Sequence, residues 1–298
     1  MRKRIMVKGL KIILLMMVTS CTTNIPSKDF DRQGHRGCRG LMPENTIPAM
    51  IKAIDMGVTT LEMDIVFSAD KQAILSHEPF FSHDITTKPD GSFVGEQEEK
   101  SLNLYTMNYE EIKKYDVGMK PHPRFPDQVK MRVYKPLLEE VIDTVEKYTK
   151  QKKLPQVYYN IETKTASKTD NVYHPAPSEF VDLLMKVIDL KKIRDRVIIQ
   201  SFDIRTLQFL HQEYPGVKTS LLIDPAEMIS INGKIKELGF VPDAVSPEYH
   251  MVSASIVNEM HKENMKIIPW TVNNITSINA LKSIGVDGII SDYPNLLQ

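Results

Sequence analysis

Cysteine, tryptophan and net charge are scarce in this chain: 298 residues hold two Cys, one Trp, and 38 basic against 38 acidic side chains. With so little cysteine no disulfide framework staples the fold. None is needed, because a folded chain of this length buries roughly three-quarters of its unfolded surface. No Gly-rich nucleotide turn of a doubly wound sheet is present, and there is no internal repeat or low-complexity tract. The zero charge is unevenly distributed. Setting aside Arg2, Lys3, Arg4, Lys8 and Lys11 leaves 33 bases against 38 acids, near −5, which gives no electrostatic footprint for nucleic acid. What is present is 42% apolar and 26% charged residues, the profile of a soluble globular protein rather than a disordered or fibrous one.

The leader combines those five cations with the apolar run Ile12 to Val18, followed by Thr19-Ser20-Cys21. Seven apolar residues fall well short of the roughly 20 that a membrane-spanning helix needs, so a signal peptide over residues 1–20 is expected. Val18-Thr19-Ser20-Cys21 resembles a bacterial lipobox, which implies acylation of Cys21 and a protein anchored by lipid on the periplasmic or cell-surface side of a membrane. A lipidated Cys21 leaves Cys38 as the one thiol. The polar stretch up to residue 30 reads as a tether.

From Asp31 onward short apolar runs alternate with amphipathic stretches, as in βα units on a parallel sheet. Eight runs read as strands: Gln33–Gly37, Thr60–Val66, Gln156–Ile161, Arg196–Gln200, Lys218–Ile223, Asp243–Ser246, Lys266–Trp270 and Asp287–Ser291. Helical spacing joins Ile47, Met50, Ile51 and Ile54, with Asn45 or Thr46 as N-cap and Gly57 as stop. It recurs at Leu138, Val141, Ile142 and Val145, at Val181, Leu184, Val187 and Ile188, and at Ile278 and Leu281. A (β/α)8 barrel over residues 31–298 is predicted. One interval, about 79–131, is too long and too polar for a plain βα connection. It is expected to be an insertion over the C-terminal mouth of the barrel, with one short helix in Tyr105–Tyr115.

Polar side chains at that mouth belong to the active face of such a barrel. The first strand runs into Gly34-His35-Arg36-Gly37, and Pro43-Glu44-Asn45-Thr46 opens the next helix. In Leu61-Glu62-Met63-Asp64 the two acids project to one side by alternation. Inside a barrel they repel each other unless a divalent cation lies between them; the alternative is a salt-bridged pair at the rim. Alternation likewise sets Asn160, Glu162 and Lys164 on one face. Three carboxylates make an open metal site, and His35, Arg36 and Lys164 beside it would suit a phosphate ester. His77 follows the short strand beginning at Ile74. The other histidines, His83, His122, His174, His211, His250 and His261, sit in no motif and read as surface groups. Phe202 reads as packing, Gln200 as packing or a substrate contact, and Asp292 as a turn residue. Trp270 ends a strand on the side where a barrel keeps its ligands.

These motifs resemble the glycerophosphodiester phosphodiesterase family: His35-Arg36-Gly37 with Pro43-Glu44-Asn45-Thr46, Glu62-Met63-Asp64, His77-Glu78, Ile161-Glu162 with Lys164, Gln200-Ser201-Phe202, Pro269 to Asn273, and Gly285 to Pro294. They occur in the family order over nearly all of residues 31–298. The resemblance implies a barrel with a small insertion, hydrolysing glycerophosphodiesters to sn-glycerol 3-phosphate and an alcohol with one divalent cation, Mg2+ or Ca2+ or else Mn2+. It implies Glu62, Asp64 and Glu162 as metal ligands, with Glu44 helping to ligate or orient. His35 and His77 become the acid–base pair, Arg36 and Lys164 the phosphate holders, and Trp270 the glycerol side. Asp70-Lys71 stands where the family usually has Asp-Gly, a departure in a turn. Two other functions remain: a related lyase or phospholipase acting on a larger lipid, and a non-catalytic binding lipoprotein on the same barrel, which would not need the acid–base pair.

Overall fold

The computed structural model describes residues 30–298. The leader, Cys21 and the tether through residue 29 lie outside the described residues. Among the described residues no helix is long and apolar enough to cross a membrane.

Period-two alternation builds the sheet. In β2 (Thr60–Phe67) the side chains of Leu61, Met63, Ile65 and Phe67 join the main apolar core against the helices, and the intervening Glu62 faces the pocket at the barrel mouth. The other strands are β1 (Asp31–Gly34), β3 (Ala73–Leu75), β4 (Tyr158–Thr163), β5 (Val197–Ser201), β6 (Lys218–Ile223), β7 (Ala244–Pro247), β8 (Lys266–Ile267) and β9 (Gly288–Ser291). Eight of them are parallel, in the order β8-β7-β6-β5-β4-β2-β1-β9, and β3 pairs antiparallel with β2. Each of the eight predicted runs overlaps a strand. Two end earlier than predicted. β1 stops at Gly34, so His35 and Arg36 sit in the turn beyond it, and β8 stops at Ile267, two residues before Pro269, which has no N–H for a ladder.

The barrel closes between β8 and β9 by single backbone bonds rather than a ladder: Asp287 N–H to Ile267 C=O, Ile290 N–H to Pro269 C=O and Val272 N–H to Ile290 C=O, each 3.0 Å. Helices α1 (Ile47–Asp55), α3 (Leu138–Lys152), α4 (Pro177–Lys191), α5 (Ile204–Glu213), α6 (Ile231–Leu238), α7 (Ala254–Lys262) and α8 (Ile275–Ser283) form the outer layer, and a 3-10 turn at Pro294–Leu297 follows β9. Thr46, not Asn45, caps α1, its hydroxyl accepting from the Ala49 N–H. The result is a TIM barrel.

The insertion leaves through β3 and returns to α3, and it carries its own small core. Val66 and Ile74 form its base, covered by Phe81, Val94, Leu104 and Ile112. Instead of one helix it has a 3-10 turn at Leu104–Thr106 and α2 (Tyr109–Ile112). Separate caps divide them: the Asn103 side chain accepts from Tyr105 N–H, and the Asn108 N–H donates to Glu111 Oε2 at 3.0 Å.

Candidate active site

The turn after β1 places the first site residues. Gly37 has φ +82°, and a Cβ there would lie 2.7 Å from the Ala49 backbone, so only glycine lets α1 close on this turn. The reversal aims the Arg36 N–H at Glu62 Oε2, 2.7 Å away. Asn45, also at positive φ, clamps the other acid: its Nδ2 donates to Asp64 Oδ2 at 2.8 Å and its Oδ1 accepts from the Asp64 N–H at 3.2 Å.

Asp64 and Glu162 are register partners on β2 and β4. Glu62, Asp64 and Glu162, all buried, each offer an oxygen within 4.8 Å of the others. The electrostatics of the three differ. Burial and the neighbouring carboxylates Asp64 and Glu162 push Glu62 well above the usual range. Burial, opposed by Lys164, and then Asp64 raise Glu162 to about 7. Asp64 is held low, because Arg36, His77 and Lys164 outweigh its burial. Lys164 Nζ stands 2.6 Å from Glu162 Oε1 and 3.8 Å from Asp64 Oδ1. Asp64 Oδ1 is nevertheless buried without a hydrogen-bond partner. An orphaned carboxylate oxygen among three crowded acids fits a hard cation, which prefers oxygen ligands. Glu44 is not in this trio. It pairs with Arg36 Nη1 at 2.8 Å, lies 3.8 Å from His122 Nε2, and is held well below the carboxylate range by Arg36 despite its burial.

His35 and His77 reach one pocket of about 500 Å3, together with Glu62, Glu162, Arg36 and Trp270. His35 Nδ1 lies 2.6 Å from Asp292 Oδ1. Asp292 stays ionised, held low by His35 and Arg39 against its burial, so it can only accept. The proton therefore sits on Nδ1 and the Nε2 lone pair is free, 4.0 Å from Glu62 Oε2. Burial and then the Arg39 charge lower the His35 pKa to about 4, against the pull of Asp292. His77 Nδ1 is matched to Glu78 Oε1 at 2.7 Å. Its pKa is lowered by burial and by Lys164 and Arg36.

Several side chains do more than their sequence positions indicate. Asp292, expected to fix a turn, orients His35 while taking bonds from Arg39 Nε at 2.9 Å and Asn273 Nδ2 at 2.7 Å. Gln200 donates to Glu62 Oε1 at 2.9 Å and accepts from Asn160 at 2.9 Å, so it positions a ligand candidate. Phe202 packs, but on Trp270 edge to face at 5.5 Å, and both rings wall the pocket. The surface reading fails for His122, buried beside Glu44 and Phe125, and for His174, buried under Pro175 and Thr169. Lys71 takes φ +60° in the β2–β3 turn, the conformation that the usual glycine adopts freely.

The model of the glycerophosphoryl diester phosphodiesterase family matches residues 35–296. The chain belongs to that family. A glycerophosphodiester phosphodiesterase of Caldanaerobacter subterraneus is 30% identical over 268 residues, spanning 88% of this chain and 94% of the relative. One of Bacillus subtilis is 27% identical over 270 residues, spanning 89% and 84%. A structure from Silicibacter pomeroyi, assigned to the same activity, superposes with TM-score 0.80 at 28% identity over 91% of this chain and 93% of that one. An Oleispira antarctica phosphodiesterase, solved with the product sn-glycerol-3-phosphate, shares the fold at TM-score 0.70 and 20% identity, over 90% and 95%. The family settles two open alternatives: this phosphodiesterase is an enzyme, and its bond is the glycerophosphodiester.

Proposed function

We propose that this phosphodiesterase cleaves small glycerophosphodiesters to sn-glycerol 3-phosphate and an alcohol, with His35 as general base, His77 as general acid and a divalent cation on Glu62, Asp64 and Glu162. The observation that carries this is the convergence of two carboxylate-oriented histidines at a pocket lined by Glu62 and Glu162, two of the three clustered acids. His35 suits the base because its lowered pKa keeps Nε2 unprotonated. His77 is lowered as well, by burial, Lys164 and Arg36, but Asp64 and the Glu78 hydrogen bond oppose that shift and its ring is more exposed than that of His35, so of the two it suits the acid. In the reaction His35 Nε2 takes a proton from the nucleophile, the neighbouring glycerol 2-hydroxyl or a water. As the new P–O bond forms, the bond to the alcohol breaks, and His77 Nε2 protonates the departing alkoxide. Water as nucleophile gives sn-glycerol 3-phosphate directly; the 2-hydroxyl gives a cyclic 1,2-phosphate, which a water then opens to sn-glycerol 3-phosphate with the two histidines in exchanged roles. Arg36, held by Glu44 at 2.8 Å and with its Nε 3.2 Å from Asp64 Oδ2, and Lys164 offer charge to the phosphate oxygens. When bound, the cation supplies Lewis-acid charge neutralisation at phosphoryl oxygen. Trp270 and Phe202 offer an apolar wall to the glycerol side. A small substrate suits the mouth, because of the four insertion phenylalanines Phe81 and Phe125 are buried, Phe80 is half-buried and Phe93 alone is largely exposed. A panel of glycerophosphodiesters, read as released glycerol 3-phosphate, tests the reading, and no release from any of them would overturn it.

Cation binding should be linked to protons. Glu162, raised to about 7 without the cation, is partly protonated near neutrality and must ionise to bind, and Glu62 is raised in the same direction. Affinity should therefore fall as pH drops from about 8 to 6, by roughly tenfold per unit for each linked proton. Calorimetry in buffers of different ionisation enthalpy counts those protons, and a count of zero near pH 7 would contradict the linkage.

The leader and Cys21 support placement as a lipid-anchored protein outside the cytoplasm. A diacylglyceryl group with an added acyl chain binds far more strongly than one chain. Cys21→Ala should yield soluble or unprocessed protein on fractionation. Processed mutant protein that still partitions with membranes would remove the anchor.

A further inference from the structure

A second cavity, of about 80 Å3, lies between the insertion and the barrel mouth and shares Arg36, His77 and Arg124 with the main pocket. Lys135, where the chain returns from the insertion toward α3, lines it and is only 5% exposed. An ammonium has three hydrogens to donate. Lys135 Nζ has one hydrogen-bond partner, the neutral Ser76 hydroxyl at 2.8 Å, lies 5.7 Å from the Phe81 ring centroid, and has no carboxylate within 4.0 Å among the described residues. Burial pulls its pKa down to about 8, although Glu44, Glu78 and Asp64 at longer range oppose the shift. The acids lining the cavity have other partners: Glu44 has Arg36 at 2.8 Å, Glu78 has His77 at 2.7 Å and Asp84 has His83 at 3.4 Å. Arg124 pairs with no carboxylate among the described residues, and its guanidinium lies 5.7 Å from the Phe125 ring centroid. Two uncommitted cations therefore face one small space. One water needs about 10–15 Å3 by this measure, so the space has room for a compact polyatomic anion and not for a whole head group.

We infer that this cavity takes a phosphate-sized anionic substituent carried by the leaving alcohol, held between Lys135 and Arg124. The inference rests on the phosphodiesterase reading with His77 as the acid, since the cavity opens beside His77 and away from Trp270. The preferred substrate is then a glycerophosphodiester whose alcohol bears a further phosphate, a polyol phosphate rather than a cationic or apolar alcohol.

The test compares kcat/KM of the folded protein on two diesters, glycerophosphoglycerol and the same compound with a phosphate on the distal glycerol. The wild type should favour the phosphorylated diester by about tenfold or more, the size of one charge-assisted contact. Lys135→Met and Arg124→Gln should each bring the ratio toward one. Arg124 is on the exposed rim, so its variant serves even if Lys135→Met folds poorly. Equal rates in the wild type, or variants that slow both diesters in proportion, would overturn the assignment. So would inorganic phosphate that alters turnover of the unphosphorylated diester in wild type but not in Arg124→Gln, without any preference between diesters; that result gives the cavity to a free anion. Turnover of neither diester would instead remove the underlying phosphodiesterase reading.

Discussion

Replacing either His35 or His77 by alanine should cut turnover of a natural diester by about 10²–10⁴-fold, the usual range for acid–base catalysis. The two losses are expected to separate with the leaving group. A poor leaving alcohol needs its proton as the P–O bond breaks, whereas p-nitrophenolate departs without one. On a p-nitrophenyl diester His77→Ala should therefore lose far less than His35→Ala, which still lacks the base. The barrel should tolerate both changes: without His35, Asp292 keeps Arg39 at 2.9 Å and Asn273 at 2.7 Å as partners, so its buried charge is not stranded. Equal losses on good and poor leaving groups would reject the division of roles, and the opposite pattern would exchange them.

Removing the cation should be as damaging as removing a histidine. In excess chelator, turnover should fall to background and return with Mg2+, Ca2+ or Mn2+, since an all-oxygen site suits hard ions better than zinc. Glu162→Gln keeps the shape and deletes one of three charges. Its cation affinity should drop by more than the ~10–100-fold typical of an outer-shell change. Stability should move the other way. The raised pKa of Glu162 means that its charged form is disfavoured in the folded state, so stability is lost as pH rises from the ordinary carboxylate range through about 7, and the full cost is present at pH 8. In chelator at pH 8 the amide variant should melt at or above the wild type, while its activity is lost. Full turnover in chelator, or a variant that simply unfolds, would contradict this account.

The parts legible in the sequence are those set by period and by adjacency. Glu62 with Asp64, and Glu162 with Lys164, are two residues apart in strands, so their common face follows from pleating alone. The eight strands and the stripes of α1, α3 and α4 follow from apolar spacing. What escaped was fixed by ring closure. His35 and Asp292 are 257 residues apart and meet only because β9 lies beside β1. Asn45 reads as a helix cap, and only its positive φ and the approach of β2 show it as the clamp on Asp64. His122 reads as a surface residue, and only the fold of the insertion buries it beside Glu44 and Phe125. That insertion has no period to read, because its turns end after one cap each.

The join between β8 and β9 makes the barrel a split ring. Asn273 acts there as a clasp, its Nδ2 on Asp292 Oδ2 at 2.7 Å and its Oδ1 accepting from Asp292 N–H at 2.9 Å. Local opening costs least where few backbone bonds hold elements together, and this join has neither a ladder nor a donor at Pro269. If the clasp parts, Asp292 moves away and His35 loses the acceptor that fixes its proton on Nδ1. Loss of catalytic competence on warming should thus precede loss of the fold. In amide exchange it would coincide with the release of Ile290 and Val272 while the β2–β4 ladder remains protected.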